Sequence, residues 1–370
     1  MDLLDSPELT LLRDSGARFV AEYADRADPE RLWAHFRDLG WLGLDLPEQQ
    51  GGSGLGPAAA AVLMEVFGRA ALASPYLTGS LFAAGILARC PSAGRALEAL
   101  LHGRARVAVQ ANLALPECDA AASGLAMAEG DASLRLDGRA LLLGWARPDA
   151  AIVLAQAVRD EPALLLLPVI DGPGAAFEPV AFADGGAGTR VELNDVAVAH
   201  GAVLARGAPR RAILDSARLA ALLGAAADNL GATQALFDAT LAHVKLRRQF
   251  GRAIGSFQAL QFRLADMWIK LDEARSLVMA AARAPTDDEA EAVRLTTAAW
   301  IQSLWSGHMM AEEAVQMHGA IGMTEQCAVG RAFKHLLVNE LIFGGEDVHL
   351  AAYDRLRQDR AQPRARDATA

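Results

Sequence analysis

The feature that most constrains the fold is a change in hydrophobic periodicity that occurs twice along the 370 residues. Up to about His102, apolar residues recur at the three- and four-residue spacing of amphipathic helices. Between about Arg106 and Leu204, short apolar or alternating runs are separated by Gly, Pro and Asp turns, which is typical of strands. After Pro209 the strand pattern disappears and long helical stretches return. The chain is therefore predicted to form helices, then a small β domain, then helices.

Interruptions within each region divide it into elements. The N-terminal pattern breaks at Pro47, at residues 51–54 and at Pro75, which predicts several short helices. Strands are predicted in four runs of the middle region, at residues 134–136, 150–154, 163–170 and 191–198. The last region contains four long helical stretches, with breaks near residues 251–255, 285–287 and 319–322.

The second of these long stretches has a one-sided apolar face between Leu260 and Leu277, which favours an antiparallel four-helix bundle. We therefore predict an α+β chain that is mainly α. Its expected parts are an N-terminal helical domain at residues 1–105, a middle β domain at 106–205 and a C-terminal four-helix bundle at 206–370.

Composition disfavours several classes of partner. The formal net charge is -10 and no basic cluster stands out, which argues against nucleic acids and anionic membranes. No apolar run reaches the roughly 18 residues that span a bilayer, so no membrane insertion is expected. Acidic residues from Asp2 onward argue against a signal peptide and predict a cytoplasmic protein. Cys90, Cys118 and Cys327 are far apart, so neither a disulfide scaffold nor a metal site is predicted.

Three ordered motifs carry a resemblance to a known family. They are Leu39-Gly40-Trp41-Leu42-Gly43-Leu44, then Leu246-Arg247-Arg248-Gln249-Phe250-Gly251 followed by Ile254-Gly255-Ser256-Phe257-Gln258, and finally Ala314-Val315-Gln316-Met317-His318-Gly319-Ala320-Ile321-Gly322. With these motifs the chain resembles the acyl-CoA dehydrogenases over nearly its whole length, from Leu39 to Gly345. The resemblance implies the same helix, β, helix order, an FAD cofactor, and dehydrogenation of the Cα–Cβ bond of an acyl-CoA thioester.

The resemblance also implies where FAD is held. Arg247 is expected to reach the FAD of a neighbouring subunit, because a planar, two-pronged donor at a chain break suits a pyrophosphate. The other implied cofactor residues are Gln249, Phe250 and Gln258 beside FAD, and Gln316, Met317, Gly319 and Ala320 near its adenosine end. Trp145 is a candidate to pack near the isoalloxazine. Two alternatives stay open: Arg247 only complements a helix dipole, and Trp145 is a core aromatic residue.

The carboxylate that the reaction requires is missing from its usual places. In the family a glutamate takes the α-proton while the β-hydrogen leaves as hydride. The two positions at which family members carry it correspond here to Gly344 and Ala221. Asp347 follows Gly344 by about one helical turn, on nearly the same face, and is the candidate base that remains. An acid that satisfies the free amides of a helix start is the open alternative for Asp347.

A second departure concerns the segment that meets the flavin ring in the family. The comparable residues, 111–120, contain no hydroxyl beside Glu117. Residues 343–349 resemble a shorter branch whose chains pair with a second, different dehydrogenase chain, including chains that act on steroid side chains.

Three functional hypotheses follow from the resemblance. The leading prediction is an FAD-dependent acyl-CoA dehydrogenase-type oxidoreductase, acting as a homo-oligomer or with a second dehydrogenase chain. An electron-transfer flavoprotein is its expected electron acceptor. The first alternative is a non-catalytic partner subunit of a hetero-oligomeric acyl-CoA dehydrogenase. The second is a flavin monooxygenase or a nitroalkane-oxidising relative, because a fold does not determine its chemistry.

Overall fold

Helices occupy both ends of the chain and strands occupy its middle in the computed structural model. The structure describes residues 6–24, 28–116, 123–157, 161–285, 288–324 and 326–361, with side chains to residue 357. The predicted fold class, α+β and mainly α with the helix, β, helix order, is confirmed.

Short helices build the N-terminal region, as predicted from its breaks. They are α1 (Pro7–Tyr23), α2 (Pro29–Asp38), α3 (Gly56–Arg69), a π-helical turn (Tyr76–Ala83) that continues into α4 (Ala84–Ala88), and α5 (Gly94–Leu101). Ser6 and Asp28 cap α1 and α2 with side-chain oxygens, and a proline stands in the first turn of each helix. The helices enclose an aromatic core in which the rings of Phe36 and Phe67 stack at 5.3 Å.

Within the described residues, eight strands form the sheet of the middle region. They are β1 (Val107–Gln110), β2 (Leu125–Glu129), β3 (Leu134–Leu143), β4 (Ala150–Ala157), β5 (Ala163–Pro168), β6 (Ala175–Ala181), β7 (Ala187–Val198) and β8 (Val203–Arg206). Their order is β6-β7-β3-β1-β4-β5-β8, and β2 pairs with both β3 and β4. The four predicted runs fall in β3, β4, β5 and β7. The sequence pattern did not predict β1, β2, β6 and β8, which are short or, in β6, largely exposed and interrupted by Pro179. An edge strand tolerates that proline.

Long helices make up the C-terminal region. They are α6 (Gly207–Leu246), α7 (Gln258–Ala282), α8 (Glu289–His318), α9 (Ala328–Phe343) and α10 (Glu346–Ala361). Gly344 and Gly345 divide the fourth predicted stretch into α9 and α10. A two-stranded hairpin, β9 (Arg248–Gln249) and β10 (Arg252–Ala253), joins α6 to α7. Within the described residues, none of the helices is both long enough and apolar enough to cross a membrane.

Glycines set the position of α6 against the N-terminal helices. A Cβ on Gly68 of α3 would lie 1.8 Å from the carbonyl oxygen of Asp228, and one on Gly231 would lie 2.0 Å from that of Glu65. The two backbones therefore meet at a distance that no other residue permits. This contact fixes the face of α6 that carries Ala221 relative to the rest of the chain.

Candidate active site

One cavity is lined by a neighbour of each position at which the expected carboxylate is missing. It has a volume of about 270 Å³ and lies between the segment after β1 and the helices α6, α8 and α10. Its lining includes Leu222, which follows Ala221, and His349, which contacts Gly344. The volume is near the lower end of the roughly 300 to 1,000 Å³ that is typical of ligand pockets. We take this space as the candidate active site.

The cavity has an apolar interior and charged residues in its lining. The apolar residues are Ala114, Pro116, Leu219, Leu222, Val293, Ala352 and Leu356; the polar ones are Asp215, Arg218, Thr297, His349 and Arg355. Arg218 donates from Nε to the carbonyl oxygen of Leu113 at 2.8 Å and from Nη1 to Asp215 at 2.7 Å. This arginine therefore ties the segment after β1 to α6 and holds one wall of the cavity in place.

Gly344 lies in a packed site with little room for a side chain. Its φ is +91°, and its carbonyl oxygen accepts a hydrogen bond of 3.1 Å from Nε1 of Trp300. A Cβ there would lie 3.2 Å from Cδ2 of Leu115 and 3.5 Å from Nε2 of His349. A glutamate at this position would displace one of these neighbours. Ala221, the other position, is fully buried in α6.

Asp347 lies in the first turn of α10, but its side chain is exposed and does not line the cavity. The adjacent Glu346 accepts a hydrogen bond from Nε1 of Trp305. The assignment of Asp347 as the base stays a prediction, and its position on the outer face of α10 weighs against it. If one helix continued through Gly344, Asp347 would lie on the face toward the site. The chain instead breaks at Gly344 and Gly345, and α10 begins only at Glu346.

His349 is one of the cavity residues that the sequence did not point to. Only 2% of its surface is exposed, and its Nε2 lies 2.7 Å from the carbonyl oxygen of Phe343. Burial lowers the pKa of this imidazole, and the hydrogen bond to Phe343 opposes that effect only in part. No sequence signal identified it, because the break at residues 344–345 changes the helical phase that would relate His349 to Gly344.

The predicted FAD hook, residues 247–258, projects from the bundle. Arg247 follows the end of α6, and its guanidinium makes no hydrogen bond or ion pair in the described part of the chain. Phe250, at the tip of the hairpin, has a φ of +51° and is 90% exposed. Gln249 and Gln258 are also exposed. The hook thus has donors and an aromatic ring available to a group outside its own chain.

The second predicted cofactor segment, residues 316–320, lies next to the hook. The rings of His243 and His318 stack at 4.3 Å, which joins the end of α8 to the end of α6. The side chains of Gln316 and Ala320, together with Gly319, are exposed. Met317 is different, because it is only 8% exposed and packs in the bundle core, so only its backbone is placed to contact a cofactor.

Trp145 is a core residue. It is 2% exposed, its ring meets Trp33 edge-to-face at 5.2 Å, and its carbonyl oxygen accepts from the hydroxyl of Thr189 at 2.8 Å. The space beside Leu143 and Gly144 is a cavity of only about 60 Å³. The expectation that Trp145 packs near an isoalloxazine stays a prediction, and the contact of its ring with Trp33 weighs against it.

A buried polar network connects the β domain to the bundle. His335 of α9 lies with Nδ1 3.0 Å from Oδ2 of Asp184 and with Nε2 2.5 Å from Oδ2 of Asp228. Asn339 donates to the same Asp228 oxygen at 2.6 Å. Burial by itself lowers the pKa of His335, but the two carboxylates outweigh it and raise the pKa to about 10. The imidazolium therefore bridges the turn before β7 to α6 and α9.

The residues at each end of the expected FAD site can be compared with the part of FAD that they would contact. At the adenosine end, the exposed guanidinium of Arg247 and ring of Phe250 fit a pyrophosphate and an adenine. At the ring end, Asn112 lies in the segment comparable to the flavin-contacting one of the family. Its Oδ1 and Nδ2 are buried without a hydrogen-bond partner in the described residues, so they suit a ligand that both donates and accepts. The residues after Pro116 in this segment, including Glu117, lie outside the described residues.

Comparison with known proteins identifies the fold and the family. The profile of the acyl-CoA dehydrogenase N-terminal domain matches residues 7–94, and that of the acyl-CoA dehydrogenase C-terminal domain matches residues 213–355. The chain is 29% identical over 333 residues to the acyl-CoA dehydrogenase IpdE2 of Mycobacterium tuberculosis, covering 86% of this chain and 87% of that one. It is 29% identical over 346 residues to the acyl-CoA dehydrogenase FadE27 of the same organism, covering 89% and 88%.

Solved structures agree with these sequence matches. A chain of the ChsE4-ChsE5 complex from Mycobacterium tuberculosis superimposes with a TM-score of 0.81 at 25% identity, covering 99% of this chain and 100% of that one. A chain of a variant of the steroid ACAD Tcur3481-Tcur3483 superimposes with a TM-score of 0.79 at 25% identity, covering 96% and 98%. Domain profiles at both ends of the chain, full-length relatives and a shared fold lead to one conclusion: the chain belongs to the acyl-CoA dehydrogenase family.

Proposed function

We propose that this chain is an FAD-dependent oxidoreductase that dehydrogenates the Cα–Cβ bond of an acyl-CoA thioester. The observation that carries the proposal is the cavity of about 270 Å³, which is lined by a neighbour of each position of the family's base and is walled by the segment after β1. Its interior of Leu219, Leu222 and Leu356 suits an aliphatic or ring-bearing acyl group. Arg218 and Arg355, at the same cavity, supply positive charge toward the anionic CoA portion.

FAD, when bound, supplies the acceptor for the hydride that leaves the β-carbon. The chain's own residues hold the cofactor and orient it. We propose that Asn112 hydrogen-bonds the ring end and that Arg247, Gln249 and Phe250 hold the pyrophosphate and adenosine end. Since this second group projects from the bundle, we propose that it serves the FAD of a neighbouring subunit.

An assembly of more than one chain follows from that arrangement. The outer face of α7 adds support, since Phe262, Trp268 and Ile269 are 68%, 53% and 52% exposed. Exposed apolar clusters of this kind mark interaction surfaces. The neighbour is a second copy of this chain or a different dehydrogenase chain, and an electron-transfer flavoprotein is the proposed electron acceptor.

The first test is a visible spectrum of the purified protein, followed by anaerobic titration with fatty and steroid side-chain acyl-CoAs. Flavin absorption that bleaches with formation of an enoyl-CoA supports the proposal. Oxygen consumption on readmission of air, without an enoyl product, supports the monooxygenase or nitroalkane-oxidising alternative. A colourless protein that binds no added FAD contradicts both.

Arg247→Ala tests the hook, with Arg31→Ala as the matched control, because Arg31 is an exposed arginine on the distant α2. Removing one partner of a paired, desolvated charge costs about 3 to 5 kcal/mol, so FAD retention should fall strongly in Arg247→Ala alone. Full FAD occupancy of Arg247→Ala would mean that the guanidinium does not meet the pyrophosphate.

A partner-subunit role is the second candidate function. It is favoured because neither base position, Gly344 or Ala221, carries a carboxylate, and because Leu115 packs against Gly344. The ChsE4-ChsE5 structure is, by its name, a complex of two chains. Co-expression with a dehydrogenase chain that carries the glutamate tests this role. Activity that appears only in the mixed assembly, and survives loss of every candidate base in this chain, would establish it.

A further inference from the structure

The ring of His349 lies beside the point from which a glutamate side chain at position 344 would extend. A Cβ built on Gly344 lies 3.5 Å from Nε2 of His349, and the same imidazole lines the candidate active-site cavity. The chain thus has a titratable group at the cavity wall where the family's carboxylate is absent. The rings of Trp300 and His349 pack edge-to-face, with their centroids 5.9 Å apart at an interplanar angle of 61°.

The hydrogen bond to Phe343 determines which nitrogen of His349 carries the proton. A carbonyl oxygen only accepts, so Nε2 is the protonated donor and Nδ1 keeps its lone pair. Nδ1 has no hydrogen-bond partner in the described part of the chain. Nδ1 is also not sealed from solvent, and His349 is one of the residues that line the cavity. The backbone therefore holds this imidazole in the tautomer that can accept a proton from a ligand.

We propose that Nδ1 of His349 takes the α-proton of the acyl thioester bound in this cavity. The proposal rests on the dehydrogenase function proposed above and assigns the base for it. In this step the α-carbon–hydrogen bond breaks, its proton moves to Nδ1, and its electron pair passes into the thioester as an enolate. When no hydride leaves, the imidazolium returns a proton to carbon and the thioester is regenerated.

The charges around the cavity are consistent with this step. The charged residues of the lining are Asp215 and Arg218 of α6, which form an ion pair with each other, and Arg355 of α10, so the lining carries a net positive charge that favours an enolate. The residues from α8 and from the segment after β1 that line the cavity are uncharged. Burial holds the pKa of His349 below its usual value of 6.5, so the base is present in its neutral form at pH 7.

Exchange of α-protons with solvent deuterium tests the proposal without requiring oxidation. The probe is phenylacetyl-CoA, because its aryl ring acidifies the α-protons and it has no β-hydrogen to lose. The purified protein with its bound FAD is incubated with the probe in deuterium oxide, and mass spectrometry follows deuterium uptake. Wild type should exchange faster than buffer, and the rate should rise with pH as the imidazole loses its proton, with a midpoint below pH 6.5.

His349→Gln is the informative variant, because the glutamine amide can still donate to the carbonyl of Phe343 but is not a base. Exchange should fall by at least about 100-fold, the lower end of the effect of a general base. His308→Gln is the matched control, because His308 is a half-buried histidine that does not line the cavity, and it should exchange like wild type. Imidazole added to His349→Ala should restore exchange, which a purely structural role would not allow.

Calorimetric measurement of phenylacetyl-CoA binding separates failure of the proposed dehydrogenase function from failure of His349 as its base. No binding to the wild type would contradict the proposed function itself. Binding without exchange in the wild type, or exchange by His349→Gln at the wild-type rate, would overturn His349 as the base while leaving substrate binding intact. Exchange that is lost only in Asp347→Asn would return the role to Asp347.

Discussion

Replacing His335 with glutamine should destabilise the chain more than any other single removal of a charge in the bundle. His335 is 4% exposed, and its side chain bridges Asp184 and Asp228. His335→Gln keeps the approximate size of the side chain but leaves two buried carboxylates without a cation. Breaking a buried pair in this way costs about 3 to 5 kcal/mol. The rise of its pKa from 6.5 to about 10 corresponds to a similar magnitude, on the order of 5 kcal/mol.

Urea denaturation at pH 7 measures this cost as the difference in the free energy of unfolding between wild type and variant. His308→Gln is the control. Its partner Glu340 lies at 2.8 Å, but the His308 side chain is 42% exposed, so its loss should cost less than about 1 kcal/mol. If His335→Gln costs no more than this control, the buried imidazolium is not what joins the β domain to the bundle.

The stabilisation by His335 also depends on pH, with a definite sign. The folded-state pKa of His335 is raised, so its stabilisation is fully present below about pH 6.5 and is lost as the pH rises through about 10. The difference between wild type and His335→Gln should therefore shrink from pH 7 to pH 10. Adding Asp184→Asn to His335→Gln should recover part of the loss, because one unpaired carboxylate is removed. Strict additivity of the two substitutions would refute the charge argument.

Three further outcomes are expected. Asp347→Asn should leave both FAD content and α-proton exchange near wild type, because the Asp347 side chain is exposed; a loss of exchange of about 100-fold or more would instead identify it as the base. Gly68→Ala should lower the free energy of unfolding by about 1 to 3 kcal/mol or more in urea titrations, since its Cβ would lie 1.8 Å from a backbone oxygen, whereas Gly94→Ala, with no atom near its Cβ, should not. Sedimentation at micromolar concentration should show a dimer or larger assembly, and a monomer that retains FAD would contradict the shared hook.

Local periodicity made the architecture predictable from the sequence. Helical spacing, strand-like alternation and the glycine or proline breaks each depend on residues within a few positions of one another, so the amino-acid order alone determines the helix, β, helix arrangement and the three breaks of the bundle. The same is true of the hook, because Arg247 and Phe250 belong to one short motif at a helix end. The absence of a carboxylate at positions 344 and 221 is likewise visible in the motifs themselves.

Tertiary structure decided which side chains meet at the candidate site. A single helical phase carried through Gly344 selects Asp347, but the break before α10 turns Asp347 outward and places His349 at the cavity. The His335 network joins Asp184 to a residue 151 positions later, a pairing that no local pattern encodes. Trp145 likewise took a core position because Trp33, from a different domain, covers its ring. Contacts between residues distant in sequence depend on how the helices and the sheet pack together, and that packing is a property of the whole chain.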